Sequence, residues 1–404
     1  VHILIAPIAY PLDNVLELIT ELARQPDVEL TIFSAAGSSA SGIGTRELMR
    51  DHPHVRVHVA PRLVGKEATG HMASVMYRPG SGHRLAKHIL RHRPPDVVHI
   101  IGEPGYLSTF QMLNLCRRHW PRVPVTLFAA QNVIARYPFP FPILERRAYQ
   151  QIRCALPITP AAGRVLRGKG YQGRSHIVPL GVNTELFAPQ PAPRPRPFTV
   201  GFVGWLERHK GILDLLTAAE RIDAHVLLVG KGRLRARIQR EAARRPGRIR
   251  LHPWVDQRQL PDLLAQMDVL VLPSVPIVQR NVAPWIGIPL REQFGRVLIE
   301  AMACGVPVVG SSVGEISHVI GEAGLVYPYG DVGALAQRLA QLRADSRLTA
   351  QLSAAGRARA QHFSWSRIAG DLCRVWNGLT AGSMAPRVPM SARATGILRS
   401  GDRR

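Results

Sequence analysis

Short apolar runs rich in β-branched residues alternate with helix-period segments from one end of the chain to the other. In the first half the runs are VHILIAPI, VELTIFS, VRVHVA, DVVHIIG, VPVTLFAA, CALPIT and SHIVPL. In the second they are FTVGFVG, HVLLVG, RIRLHPWV, DVLVLPS, VPVVGSS and GLVYP. Most are apolar throughout rather than alternating, as expected of parallel strands covered on both faces. Two such series separated by helices predict an α/β chain of two doubly wound, Rossmann-like domains. PQPAPRPRP at 189–197 cannot enter either sheet interior and reads as the linker. The predicted domains are residues 1–188 and 198–360. Helical patterns at 331–343, 346–362 and 364–379 close the fold, and composition predicts a disordered basic tail over 381–404.

Composition narrows the class. A chain of 404 residues, 46% hydrophobic and 20% charged, can bury two cores. No run of eighteen apolar residues predicts a membrane span. The opening VHILIAPI is short and uncharged, and reads as a strand rather than a secretory leader. It begins without Met, so a few residues are expected to be missing. Cys116, Cys154, Cys304 and Cys373 are widely spaced, with no zinc or CxxC pattern. Buried, inert thiols and a cytoplasmic setting are expected. Net charge is +24, with 47 of the 52 basic residues Arg. Such a field attracts phosphates on nucleic acid, anionic lipid or nucleotide. No nucleic-acid-binding signature accompanies it and aromatics are only 6%, so a specific nucleic-acid partner is not expected.

In doubly wound sheets ligands gather beyond the C-terminal strand ends, and three segments there carry candidate chemistry. In GFVGWLERHKGILDLL a strand ends at Gly204, a loop carries Arg208, His209 and Lys210, and a helix follows. Helix-start amides and two cations make an anion site, though a solvated basic loop has the same composition. In LLVGKGRLRARI, Gly230 and Gly232 flank Lys231, which allows a ligand's close approach or an ordinary turn. In REQFGRVLIEAMACGVPVVGSS, Glu292 and Glu300 stand eight positions apart around a predicted helix start at Phe294-Gly295-Arg296. A carboxylate accepts well from a vicinal diol, whereas the plainer reading has Glu292 capping the helix and Glu300 paired with a surface Arg. The apolar neighbours Val297, Leu298, Ile299, Ala301 and Met302 make an unpartnered Glu300 costly.

The E-x7-E segment EQFGRVLIE, followed by AMACGVPVVGSSVGEISHVI and GLVYPYGD, closely resembles the retaining glycosyltransferases of GT-B fold, family four, the group 1 glycosyl transferases. The likeness extends back through IVPLGVNTELFAP, GFVGWLERHKGI, LLVGKGRLR and LPDLLAQMDVLVLPS, covering nearly all of 175–380. It is looser in PDVVHIIGEP, FAAQNV and YPFPFPILERRAY. The resemblance implies two domains facing a cleft, with a C-terminal helix at 361–380 crossing back to the first. It implies a nucleoside-diphosphate sugar as donor and a saccharide or lipid-linked acceptor, in polysaccharide or glycolipid assembly, with neither metal nor cofactor. By position, Lys210 would neutralise the diphosphate with help from Arg208, Glu300 would hold the ribose hydroxyls, and Glu292 would contact the donor sugar. Amides around Phe294, Gly295 and Arg296 would hold sugar or phosphate, Gly204 and Gly230 would line the donor site, and Trp254 and Val255 would face the base. Glu103, Gln131 and Asn132 fall to the acceptor side. The two glutamates lie on one segment among cations, which suits a departing phosphate better than the acid/base pair of a glycosidase.

The chain departs from the pattern in places. Relatives usually carry Arg where Trp205 stands, a glycine pair where APIAYPLDN runs, and often His where Gln131 and Asn132 lie. VPIVQRNVAPWIGIPLR, residues 275–291, is long, and its Ile277, Val278, Trp285, Ile286, Ile288 and Leu290 suggest either a loop covering its own core or a lid for an apolar acceptor. In HRLAKHILRHR, residues 83–93, Leu85, Ile89 and Leu90 face one side and Arg84, Lys87, His88 and Arg91 the other. That pattern suits an ordinary surface helix, or one lying peripherally on the anionic inner face of a membrane. A nucleotide-sugar 2-epimerase of similar fold, a non-catalytic nucleotide-sugar-binding homologue and a nucleic-acid-binding protein are the competing readings.

Overall fold

A computed structural model describes residues 1–8, 15–35, 43–61, 77–90, 93–135, 137–191, 197–279 and 287–383. Most of APIAYPLDN, the middle of the linker, Arg91, Trp285 and Ile286 of the expected lid, and the tail from 384 lie outside them.

The first sheet comprises β1 (His2–Ile8), β2 (Glu29–Ala35), β3 (Val55–Ala60), β4 (Val97–Ile101), β5 (Val125–Ala129), β6 (Ile152–Pro157) and β7 (Arg174–Ser175). Their order is β3-β2-β1-β4-β5-β6-β7, and the pairings are parallel. The second comprises β8 (Thr199–Val203), β9 (His225–Val229), β10 (Ile249–His252), β11 (Val269–Leu272), β14 (Val308–Ser311) and β15 (Leu325–Tyr327), ordered β10-β9-β8-β11-β14-β15. Each sheet reverses direction of growth beside its first strand, which opens a crevice at β1/β4 and at β8/β11. All five residues of β4 and four of five in β8 are buried, as continuous apolar runs require.

Two expectations need correction. SHIVPL keeps only Ser175 in a strand, the end of the two-residue β7, because Pro179 cannot donate to a ladder and Val182 already bridges to Ser364. The segment after β11, read as a loop, contains an antiparallel pair, β12 (Ile277–Gln279) and β13 (Ile288–Leu290).

The last helix, Trp365–Ser383, runs three residues further than the predicted crossover helix and enters the expected tail. It packs on the helix Leu16–Ala23 of the first domain and buries Trp365, Ile368, Leu372 and Trp376 there. The Trp365 Nε1 donates to Glu17 Oε2 at 2.8 Å. Ala130, Ile158, Val182 and Phe187 of the first domain join the core of the second. The helix Pro79–Leu90 buries Leu85, Ala86 and Ile89 in the first domain's core, leaving Arg84 and Lys87 exposed. Its apolar side is therefore already used for packing. No helix among the described residues is long and apolar enough to cross a membrane. Cys116, Cys154 and Cys304 are buried, and burial pushes the Cys116 and Cys304 thiols up to about 12.

Candidate functional site

The candidate site forms where the C-terminal ends of β8 and β11 face the first domain. After β8 the chain makes a 3-10 turn, Arg208–Lys210, and leaves it through Gly211 at φ 64°. A side chain there would meet the Pro273 carbonyl at 1.9 Å, so only glycine lets the turn sit against the end of β11. Val275 N donates to the His209 carbonyl at 2.8 Å and ties the two strand ends together.

That approach delivers Lys210 to Glu292. The ammonium lies 2.6 Å from Glu292 Oε2, and Ser274 Oγ donates to the same oxygen at 2.7 Å. Both side chains of the pair are mostly buried, at 17% and 13% exposure. Burial raises the Glu292 pKa, but the charge and hydrogen bond of Lys210, the Ser274 hydroxyl and His209 outweigh it and hold the carboxyl below its ordinary range. His209 is itself pushed down by burial and by Lys210, which favours a neutral ring. The main chain of Glu292 is pinned from two sides. Asn132 Nδ2 of the first domain donates to its carbonyl at 2.8 Å, and Glu315 N does so at 3.1 Å.

Gly295, at φ 82°, precedes the helix Arg296–Ala303, and a Cβ there would lie 2.6 Å from Leu272 Cδ2. In its first turn Leu298 N donates to the Gly295 carbonyl at 2.8 Å, and the amides of Arg296 and Val297 have no intrahelical acceptor. Phe294 supplies only its main chain. Its ring is buried edge-on against Phe363, 5.7 Å between centroids. Glu300 is 5% exposed and accepts from Arg296 Nε at 2.9 Å and Gln257 Nε2 at 3.4 Å, both on Oε1. The plainer expectation of an Arg partner is thus seen, with Glu300 buried and Arg296 half-buried rather than both on the surface. Burial lowers the Arg296 pKa, but Glu300 outweighs it and the guanidinium stays charged. Glu292 and Arg296 line one cavity of about 340 Å³ between the domains, with Ile101, Phe128, Ile158 and Trp365 on its apolar side.

The remaining predicted residues distribute as follows. Gly204 N and Gly230 N cap neighbouring strand ends, on Val229 O and His252 O at 3.0 and 3.1 Å. Arg208 is exposed, Val255 half-buried and Trp254 exposed. Glu103, at 8% exposure, turns inward and accepts from Ala130 N and Gln131 N at 2.8 and 3.0 Å. Burial raises its carboxyl to about 7 against those two amide bonds. Gln131 is held by Tyr137 Oη at 2.9 Å and Lys169 Nζ at 3.3 Å. Of the three acceptor-side residues, only Asn132 has a recorded side-chain bond to the second domain. Sequence reasoning assigned no role to Ser274, Gln257 or His209. Ser274 closes the DVLVLPS run, and its place at a strand end beside a crevice was the available signal.

Residues 197–345 match the family described as glycosyl transferases group 1. A phosphatidyl-myo-inositol mannosyltransferase of Mycobacterium leprae is 33% identical over 218 residues, 51% of this chain and 54% of that protein. The protein of the same name from Mycolicibacterium smegmatis is 28% identical over 364 residues, 84% of this chain and 86% of that one. The first of these matches spans about half the length of its relative. Anabaena HepE, solved in complex with UDP, superposes with a TM-score of 0.71 at 16% identity, covering 94% of this chain and 100% of that one. Through residues 197–345 the chain is similar to the group 1 glycosyl transferases, and it has the two-domain GT-B fold of its solved neighbours.

Proposed function

We propose that the chain moves a sugar from a nucleoside-diphosphate sugar to a saccharide or lipid-linked acceptor with retention of anomeric configuration. The observation that carries this reading is the Lys210–Glu292 pair, set beside free helix amides at the crevice between β8 and β11. Glycosyl transfer separates a cation-like sugar from an anionic diphosphate, so stabilising the leaving group is the main task. An ammonium has three donors. With one engaged on Glu292, two are left for phosphate oxygens. The helix-start amides add dipolar stabilisation of the same sign.

Glu292 suits a gripping role. Its carboxyl is held ionised, and both recorded donors reach Oε2, so among the described residues Oε1 takes no bond and can accept from a donor-sugar hydroxyl. A carboxylate tied this way is a poor general base, which favours the leaving phosphate itself as acceptor of the incoming hydroxyl's proton. In the same reading Glu300 accepts from the ribose on Oε2, since Gln257 and Arg296 both donate to its Oε1. In this reading cationic side chains and amides do the work of a metal ion, and turnover is expected to survive a chelator.

A thermal-shift screen of UDP-, GDP- and ADP-sugars, followed by product analysis with candidate acceptors, tests the proposal. Stabilisation by one donor and acceptor-dependent release of its nucleoside diphosphate are expected. Epimer formation without acceptor would replace this reading with the isomerase one. Binding without turnover would leave a non-catalytic homologue.

A further inference from the structure

Three neighbouring strand ends at the far side of the second sheet carry one cluster. Trp205 follows β8, Lys231 follows β9, and Trp254 follows β10 by two positions. The two indoles lie 5.7 Å apart, centroid to centroid, at 32°. Each is 50% exposed. Lys231 Nζ stands over both rings, 5.2 Å from Trp205 and 5.6 Å from Trp254. The loops beneath are locked by main-chain bonds, Leu206 N to Lys231 O at 2.8 Å and Leu234 N to Leu206 O at 2.9 Å.

This arrangement is a poor way to gain stability. Two large rings stay half in water, and an exposed cation–π contact is weak. It is a good way to hold a flat ligand. The rings are too close for a base to slide between them, so a base must take the face that Lys231 covers. The cluster shares the β8 loop with Lys210, five residues on, so a base stacked here and a diphosphate at Lys210 fit one molecule.

We propose that Trp205, Trp254 and Lys231 form a nucleobase seat in which the donor's base stacks on the indole faces and displaces the Lys231 ammonium toward the diphosphate. The seat adds a second cation to Lys210 and favours purine nucleotides, whose larger face overlaps both indoles. This deepens the donor reading above and rests on it.

The test is calorimetric titration of GDP, ADP, UDP and pyrophosphate into the full chain and into W205L, W205F and K231M. W205L is expected to weaken the purine nucleotides at least about tenfold, the scale of one lost stacking contact, and to leave pyrophosphate unchanged. W205F should restore most of the loss, and K231M should weaken the nucleotides while leaving pyrophosphate, which has no base to displace the ammonium, unchanged. Trp205 is half exposed, so the melting temperature of W205L should match the parent. Nucleotide affinity unchanged in W205L, UDP equal to GDP and ADP, or pyrophosphate lost together with nucleotide in W205L would each overturn the seat. Failure of the unmutated chain to bind any of the three nucleotides would overturn the donor reading along with it.

Discussion

At the residue scale the Lys210–Glu292 pair raises a question of division of labour. Removing one member of a buried ion pair strands the other, which typically costs 3–5 kcal/mol, while removing both is far milder. Lys210→Met should therefore lower both stability and transfer. The double variant with Glu292→Gln should recover much of the stability in chemical denaturation yet stay at least about a hundredfold slow. Recovery of turnover in the double variant would assign the pair a structural role only. Glu103 makes a second prediction. Its folded pKa of about 7 lies above the ordinary 4.5. Below both values the carboxyl is neutral in either state. Between them the unfolded chain releases its proton and the folded one keeps it, so stability falls as pH rises. Glu103→Gln keeps an acceptor for the Ala130 and Gln131 amides without the charge. Its stability relative to the parent should therefore grow between pH 5 and pH 8, by on the order of 1–3 kcal/mol. A constant difference across that range would place the charge elsewhere. Spacing in the sequence could locate Lys210 and Glu292, because both follow strand ends. It could not show that Glu103 turns inward, since GEPG looks the same whether its carboxyl faces a cleft or a backbone.

At the element scale the continuous apolar runs identified nearly every parallel strand, because burial on both faces leaves so plain a pattern. The pattern failed at SHIVPL, where apolar residues serve the passage between domains, and at β12 and β13, where runs of three residues are too short to read. The β12–β13 pair sits between Ser274 and Glu292, two residues of the site, and presents Val278 at 60% exposure. Half-buried Ile277, Ile288 and Leu290 accompany it. If the pair shelters an apolar acceptor, deleting 277–288 should impair transfer to lipid-linked acceptors more than hydrolysis of the donor. Equal loss of both rates would make it a cover for the site's own core.

At the scale of the whole molecule two domains meet along a seam that is part core and part contact. The shared core and the returning helix fix their attachment, and the helical period made that helix legible before any contact was known. The seam's polar side was not legible, because Asn132 and Glu292 are 160 positions apart and nothing in either segment names the other. The Asn132 amide reaches across to the Glu292 main chain, so the first domain helps position the residue proposed to grip the donor. Glu315 N also bonds that carbonyl, which means Asn132→Ala leaves no buried acceptor unpaired and should cost only the net worth of one hydrogen bond, about 1 kcal/mol. The loss should fall where the domains must cooperate. Nucleotide binding, which the proposal assigns to the second domain, should stay within about threefold of the parent, while turnover with acceptor should drop about five- to tenfold. Steady-state rates set beside nucleotide titrations on the same preparation separate the two. A parallel fall in both would mean that Asn132 stabilises the donor site itself, and no change in either would reduce the contact to incidental packing between two domains held by their common core.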